Sequence, residues 1–209
     1  MTRTDYSQIV DDAAIAQTIK ALEQNGFHAL QVSNLAAAKA AALELMPKGA
    51  EVFAVTSKTL DATGLRDVID ESGDYVSVRK KLVELSDRDD AEKEKKQLGS
   101  APDYVIGSAH ALTEDGKILV ASGTGSQLAA EVYGAEHVIY VVGAQKIVQD
   151  LQEGIERIET YIVPLESKRI QEVYNNKDAQ TNFSRLFIYN KNSYDRDVQI
   201  IIVKENVGF

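Results

Sequence analysis

Residues 120–135, VASGTGSQLAAEVYGA, pass from an apolar run through Ser122-Gly123-Thr124-Gly125-Ser126 into an alanine-rich segment of helical character. Gly123 and Gly125 can take backbone conformations closed to other residues. The amides of Ser126, Gln127 and Leu128, opening the helix that follows, have no intrahelical acceptor. Such amides favour an anion, and the Thr124 and Ser126 hydroxyls add donors. A phosphate, a carboxylate or a CoA pyrophosphate is therefore a ligand the loop suits. The competing reading is geometric, since a strand-to-helix turn uses glycine and serine for direction and capping alone. The third glycine of G-x-G-x-x-G and the GK[ST] ending of a P-loop are both missing, which argues against ATP binding by those routes.

Other side chains could do chemistry beside that loop. Glu114 and Asp115 occupy the turn Thr113-Glu114-Asp115-Gly116, which the strand order is expected to bring near the glycine loop. A carboxylate there could act as base or nucleophile, although Asp-Gly also suits any solvent-facing tight turn. His110 lies on an otherwise apolar strand and has a suitable pKa for catalysis, against the commoner role of a hydrogen-bonded structural residue. Arg79 in VSVRKK and Lys146 in GAQKIV could neutralise an anionic ligand, against the usual fate of such residues as exposed surface charge.

Composition narrows the classes. The chain has 209 residues, 44% of them apolar, enough for a sizeable core and sized for one domain. Its net charge of -9 offers nothing to a phosphodiester backbone or an anionic lipid surface, so neither nucleic acid nor membrane is expected as a partner. No apolar run is long enough to span a bilayer, and the first residues lack a signal-peptide core; the expected location is the cytoplasm. With no cysteine, thiolate nucleophiles and sulfur-ligated clusters on this chain are removed. His28, His110 and His137 are far apart and form no metal-ligand spacing, so no metal is expected.

The elements that must position these groups alternate. Residues 9–25 read as a helix with Gly26 behind it, 27–32 as a short strand, and LAAAKAAALELM as a helix capped by Ser33 or Asn34. AEVFAVT at 50–56 is a second strand, followed by helical character in KTLDATGLRDVIDE from Ser57. The segment DRDDAEKEKKQLG mixes both charge signs, as a solvated helix face does. DYVIGSAHAL (103–112), KILVASG (117–123) and the β-branched HVIYVVG (137–143) read as strands, the last as a parallel strand covered on both faces. From 144 onward Ile147, Val148, Leu151, Ile155 and Ile158 fall on one helical side until Pro164, which implies two successive helices. The last segments, RLFIY and VQIIIVKENVGF around NKNSYDRD, read as a hairpin. Strand and helix in alternation indicate an α/β three-layer sandwich with a mainly parallel sheet. One domain over 1–209 is expected, with the N-terminal helices (about 1–48) as a cover.

Several stretches together, YVSVRKKL, PDYVIGSAHALTEDGKILVASGTGSQL, YGAEHVIYVVGAQKIVQDLQEGIERIETYIVPLESKR and VQIIIVKENVGF, resemble LUD-domain proteins of the LutC/YkgG type, named for lactate utilisation. The likeness covers roughly residues 10–209. It implies a three-layer α/β/α fold related to the sugar-phosphate isomerase (NagB/RpiA) and CoA-transferase group, whose glycine-rich loops hold phosphate or acyl groups. Gly123-Thr124-Gly125-Ser126 looks locally like the phosphate loop of ribose-phosphate isomerases, and Glu114 is the nearest analogue of the transferase glutamate. The resemblance also implies organic-acid metabolism, iron-sulfur redox partner proteins, and no cluster on this chain. Where the family has Tyr-Gly and Asn-Lys, this sequence has Tyr174-Asn175 and Ser184-Arg185, with Arg185 retaining a charge that could meet the ligand. Three functions follow as expectations: a protein binding a small anionic metabolite, an isomerase or acyl-transferase-like enzyme, or a non-catalytic subunit docking on redox partners. Self-association as a homo-oligomer is compatible with each.

Overall fold

The computed structural model describes residues 5–182, 184–194 and 196–209. The first four residues of the expected N-terminal cover, and Asp195 of the expected C-terminal turn, lie outside the described residues.

The chain opens with α1 (Asp12–Gln24), capped by the Asp11 carboxylate on the Ala14 amide. Its end is closed by Phe27 N–H to Leu22 O and Gly26 N–H to Glu23 O, the double bond of a Schellman stop. There follow β1 (His28–Val32), α2 (Leu35–Glu44) capped by Asn34, β2 (Glu51–Ala54), α3 (Lys58–Thr63) capped by Ser57, α4 (Leu65–Glu71), and the two-residue β3 (Val76–Ser77). Next come α5 (Val78–Glu84), α6 (Glu92–Ser100), β4 (Tyr104–Gly107), β5 (Ala111–Thr113), β6 (Ile118–Ser122), a π-helical turn at Ala130–Gly134, and β7 (His137–Gly143). After a 3-10 turn at Ala144–Lys146, the chain continues through β8 (Ile147–Val148), α7 (Leu151–Arg157), α8 (Val163–Tyr174), β9 (Arg185–Tyr189) and β10 (Asp197–Val203).

Six strands form a sheet in the order β1-β10-β7-β4-β2-β3, parallel at every pairing. The expected three-layer α/β architecture is thus present, and β7 shows why its sequence is continuously apolar. Val138, Tyr140 and Val142 join the core beneath α1 and α5, while Ile139 and Val141 join the core under α2, α3 and α4. Period-2 alternation sends both sets into apolar surroundings, so no polar face is needed.

A second sheet, in the order β8-β5-β6-β9, is laid over one side of the first. It corrects three readings. The apolar stretch 103–112 is two strands in different sheets, because the chain leaves the main sheet after Gly107. Ile147 and Val148 are strand rather than helix: they pair with Leu112 and Thr113, and α7 begins only after its Asp150 cap. β9 and β10 make no hairpin, since β9 pairs with β6 and β10 enters the main sheet between β1 and β7. Their connection is held by Asn192, whose N–H donates to Asn25 O and whose side chain donates to Gly26 O. The outer face of the second sheet is covered by Ile158 and Ile162 in the π-helical turn between α7 and α8.

Candidate functional site

The C-terminal ends of β2, β4 and β7, adjacent in the sheet, open on one side of the molecule, where parallel α/β sheets commonly take ligands. There a cleft of about 290 Å³ lies between the end of β2, α5 and the glycine-rich loop. One wall is apolar, with Phe53, Val55, Leu82 and Val83; the polar groups are Thr56, Arg79, Ser86, Ser126 and Gln127. The sequence candidates Arg79, Ser126 and Gln127, far apart in the chain, are therefore brought to one cavity.

Each is held by local structure. Arg79 stands in the first turn of α5, whose Ser77 cap accepts from the Lys80 amide. Its Nη1 donates to Thr56 Oγ1 at 3.0 Å, and Asp70 is 3.8 Å from its Nε. That distant carboxylate offsets the guanidinium only in part. In the loop, Gly125 has φ +78 and its N–H donates to Ser122 Oγ at 2.8 Å. Ser122 Oγ in turn donates to Gln127 Oε1, which commits the carboxamide oxygen and leaves its NH₂ donors to the cleft.

The loop is less open than its sequence suggests. The Ser126 amide donates to Thr124 Oγ1 at 3.3 Å and the Leu128 amide to Gly125 O at 3.1 Å. Of the first-turn amides, only that of Gln127 lacks an acceptor among the described residues. Thr124 and Gly123 are exposed, and Gly123 O accepts from Arg185 Nη1 at 2.7 Å. Arg185 thus braces the loop from behind, with its Cδ 2.8 Å from where a Cβ on Gly125 would sit. A side chain at 125 would strike Arg185 before it blocked a ligand.

Three candidates lie elsewhere. Glu114 is separated from the loop by the five residues of β6, about 17 Å of strand. The β5–β6 turn instead docks on α1, where a Cβ at Gly116 would come within 2.5 Å of Ala21 C and where Asn25 donates to Asp115 O and Gly116 O. Glu114 shares a shallow depression with Glu153; desolvation, then the charges of Glu153 and Asp11, raise its pKa. His110 stands just before β5. Its Nδ1 accepts from the Ala121 amide, so the ring proton is on Nε2, and burial, with Lys146 and Arg157 nearby, lowers its pKa to about 3. It is neutral at ordinary pH.

Lys146 does not line the cleft. It is 2% exposed, and its Nζ donates to Thr59 Oγ1 (3.2 Å), Ser108 Oγ (3.1 Å) and Ala109 O (3.4 Å). Burial, then the Arg157 charge, drives its pKa well down.

The sequence reading passed over Glu131, which is 1% exposed in the π-helical turn after the loop. Desolvation raises its pKa to about 8 against the opposing pull of Arg196. Two signals pointed to it: an acid four residues after Gln127 in an alanine-rich stretch, and a glycine at 107 whose missing Cβ would sit 3.3 Å from Glu131 Oε1. Among the described residues no cluster of three or more metal-ligating side chains is present.

Comparison with known proteins adds the following. The family model for the LUD domain matches residues 15–203. The crystal structure of a DUF162 family protein from Deinococcus radiodurans is similar at a TM-score of 0.57 and 16% identity, over 94% of this chain and 99% of that one. That likeness bears on the fold. No curated protein matches the chain.

Proposed function

The chain belongs to the LUD domain family, and from that premise we propose that it serves organic-acid utilisation, lactate utilisation in particular, by holding a small anionic metabolite in the cleft beside Arg79. One observation supports this above the others: Arg79 and the Ser126–Gln127 end of the glycine-rich loop line the same cavity. A carboxylate or phosphate placed there takes charge-assisted hydrogen bonds from the guanidinium, with the Gln127 amide and carboxamide as further donors. The apolar wall of Phe53, Val55 and Leu82 takes the carbon skeleton.

In this reading the protein has no cofactor of its own. With no cysteine, a thiolate-bound cluster would sit on an iron-sulfur partner protein. No helix among the described residues is long and apolar enough to cross a membrane, and we assign the protein to the cytoplasm. An isomerase or acyl-transferase-like activity is a second reading, favoured by the raised pKa of Glu114 beside Glu153; Glu114→Gln should then lose turnover and keep affinity.

Calorimetry with lactate, a sugar phosphate and an acyl-CoA tests the first reading. One of the three should bind, and Arg79→Gln should weaken it about tenfold to a hundredfold, the worth of a hydrogen bond to a charged group. Equal affinity in wild type and variant removes the cleft from the function. If no metabolite binds or raises the melting temperature, the non-catalytic docking subunit takes its place.

A further inference from the structure

α5 turns a stripe of mixed character toward the cleft. Arg79, Leu82 and Val83 of α5, and Ser86 of the 3-10 turn that follows it (Leu85–Asp87), all line the cavity. Their spacing of i, i+3, i+4 and i+7 is that of one helical side, in the order cation, apolar pair, hydroxyl. At about 1.5 Å of rise per residue, Val83 stands about 6 Å beyond Arg79 along the axis. Across the cavity Phe53 and Val55 are buried, whereas Val83 is 63% exposed. An apolar edge is thus left in water, and a carbon chain lying along it would remove it from water.

The charged end separates a carboxylate from a phosphate. Among the described residues lining the cavity Arg79 is the one cation, and Asp70 stands 3.8 Å from its Nε. A phosphate loop offers its anion several free amides. Here the Gly125 amide is spent on Ser122 Oγ, the Ser126 amide on Thr124 Oγ1 and the Leu128 amide on Gly125 O. The two charges of a phosphate ester would meet a single guanidinium and, behind it, the Asp70 carboxylate. A carboxylate carries one charge. It matches the N–H groups that Arg79 keeps beyond its bond to Thr56 Oγ1, with the Gln127 NH₂ as a further donor.

Resting on the reading of this cleft as an anion site, we propose that it selects a monocarboxylic acid with an unbranched apolar tail longer than lactate's methyl, and discriminates against phosphate esters. The carboxylate sits at Arg79. The tail runs along α5 over Leu82 and Val83, a path of about 6 Å that takes about four carbons. Leu82 and Val83 are then the residues that set chain-length preference, and Arg79 the one that sets the charge.

Calorimetry on the whole protein at pH 8 with propanoate, hexanoate and monohexyl phosphate tests head and tail separately. Three added methylenes are worth about fiftyfold when fully buried, and a cleft open on one side keeps about tenfold, so hexanoate should bind about tenfold tighter than propanoate. Hexyl phosphate, with the same tail and two charges, should bind more weakly than hexanoate. Arg79→Gln should weaken both acids by one factor and keep their ratio. Val83→Ser, at an exposed position that folding tolerates, should shrink the ratio to about threefold. Equal affinity for the two acids, a phosphate that binds tightest, or a ratio untouched by Val83→Ser overturns this inference; if Arg79→Gln still weakens binding, the cleft stands as an anion site. No binding by any of the three, or binding that Arg79→Gln leaves unchanged, overturns both.

Discussion

Lys146 and Glu131 are both ionisable side chains hidden near the ends of the parallel strands, at 2% and 1% exposure, and they are treated differently. Lys146 has three oxygen partners. Among the described residues, Glu131 Oε2 has no hydrogen-bond partner, and neither has the Tyr140 hydroxyl, on the strand residue paired with Gly107. Burial drives both toward neutrality from opposite sides, the lysine by losing a proton and the glutamate by keeping one. The polar end of Lys146 is satisfied by three acceptors, whereas one carboxyl oxygen of Glu131 is left without a partner among the described residues. Glu131 is retained by its backbone, because Arg196 donates to the carbonyls of Ala130, Glu131 and Ala135 and fixes the π-helical turn.

The largest expected effect separates the two by pH. The folded-state pKa of Glu131, about 8, lies above its unfolded value, so the folded protein binds the extra proton between about pH 4.5 and 8. Its contribution is present below that window and is lost as pH rises through it. Lys146 has the opposite sign: its folded pKa is lowered, so the folded state is favoured as pH rises toward the unfolded lysine range. The two slopes oppose each other near neutrality. Glu131→Gln should remove one of them, gaining on the order of 4 kcal/mol relative to wild type between pH 5 and 9. Urea midpoints across that range read the change; parallel profiles for variant and wild type would mean that Glu131 is ionised in the folded state.

How much of this was written in the sequence depends on the kind of signal. Continuous β-branched runs such as HVIYVVG and caps such as Asn34 and Ser57 act locally, and the elements they specify are where the pattern put them; the first helix instead begins three residues later than its apolar pattern, at the Asp11 cap. The second sheet was not legible, because which strands pair is decided by long-range packing. Ile147 and Val148 continue a helical periodicity and still pair with β5 as strand. Likewise the hairpin expected at the C-terminus obeyed turn chemistry and was defeated by topology. Within the candidate site, Arg79, Ser126 and Gln127 were named from residue type, and their shared cavity appears only in three dimensions. Glu131 was overlooked because an acid among alanines looks like a solvated face; its burial comes from Gly107 and Tyr140 on other strands.

The space at Gly107 gives the intermediate effect. A methyl there would stand 2.7 Å from Val55 Cγ2 and 3.3 Å from Glu131 Oε1, so Gly107→Ala should destabilise by about 2 kcal/mol through overpacking. Because part of that crowding is the carboxyl, Gly107→Ala combined with Glu131→Ala should cost less than the sum of the single changes, measured by thermal melts as a double-mutant cycle. Strict additivity would place Glu131 away from the glycine and remove the reason for its confinement.

The smallest effect tests the charge state of Lys146. Thr59→Val keeps the shape of the side chain and removes one acceptor from Nζ, together with the donor to Val207 O. A neutral amine has two N–H groups, which Ser108 Oγ and Ala109 O still take, so the expected loss is that of the Thr59 hydroxyl's bond to Val207 O, about 1 kcal/mol. A buried ammonium ion in the same place would lose a charge-assisted bond with no carboxylate to compensate, and the loss would reach about 3 kcal/mol. Chemical denaturation at pH 7 separates the two values. Repeating it at pH 9.5 adds a control, since an amine neutral at both pH values gives the same difference at both, whereas an ammonium approaching its titration gives a smaller one at the higher pH. The loss caused by Thr59→Val therefore reads whether burial has neutralised this lysine or has enclosed it as a cation, and so whether its contrast with Glu131 is one of charge as well as of hydrogen bonding.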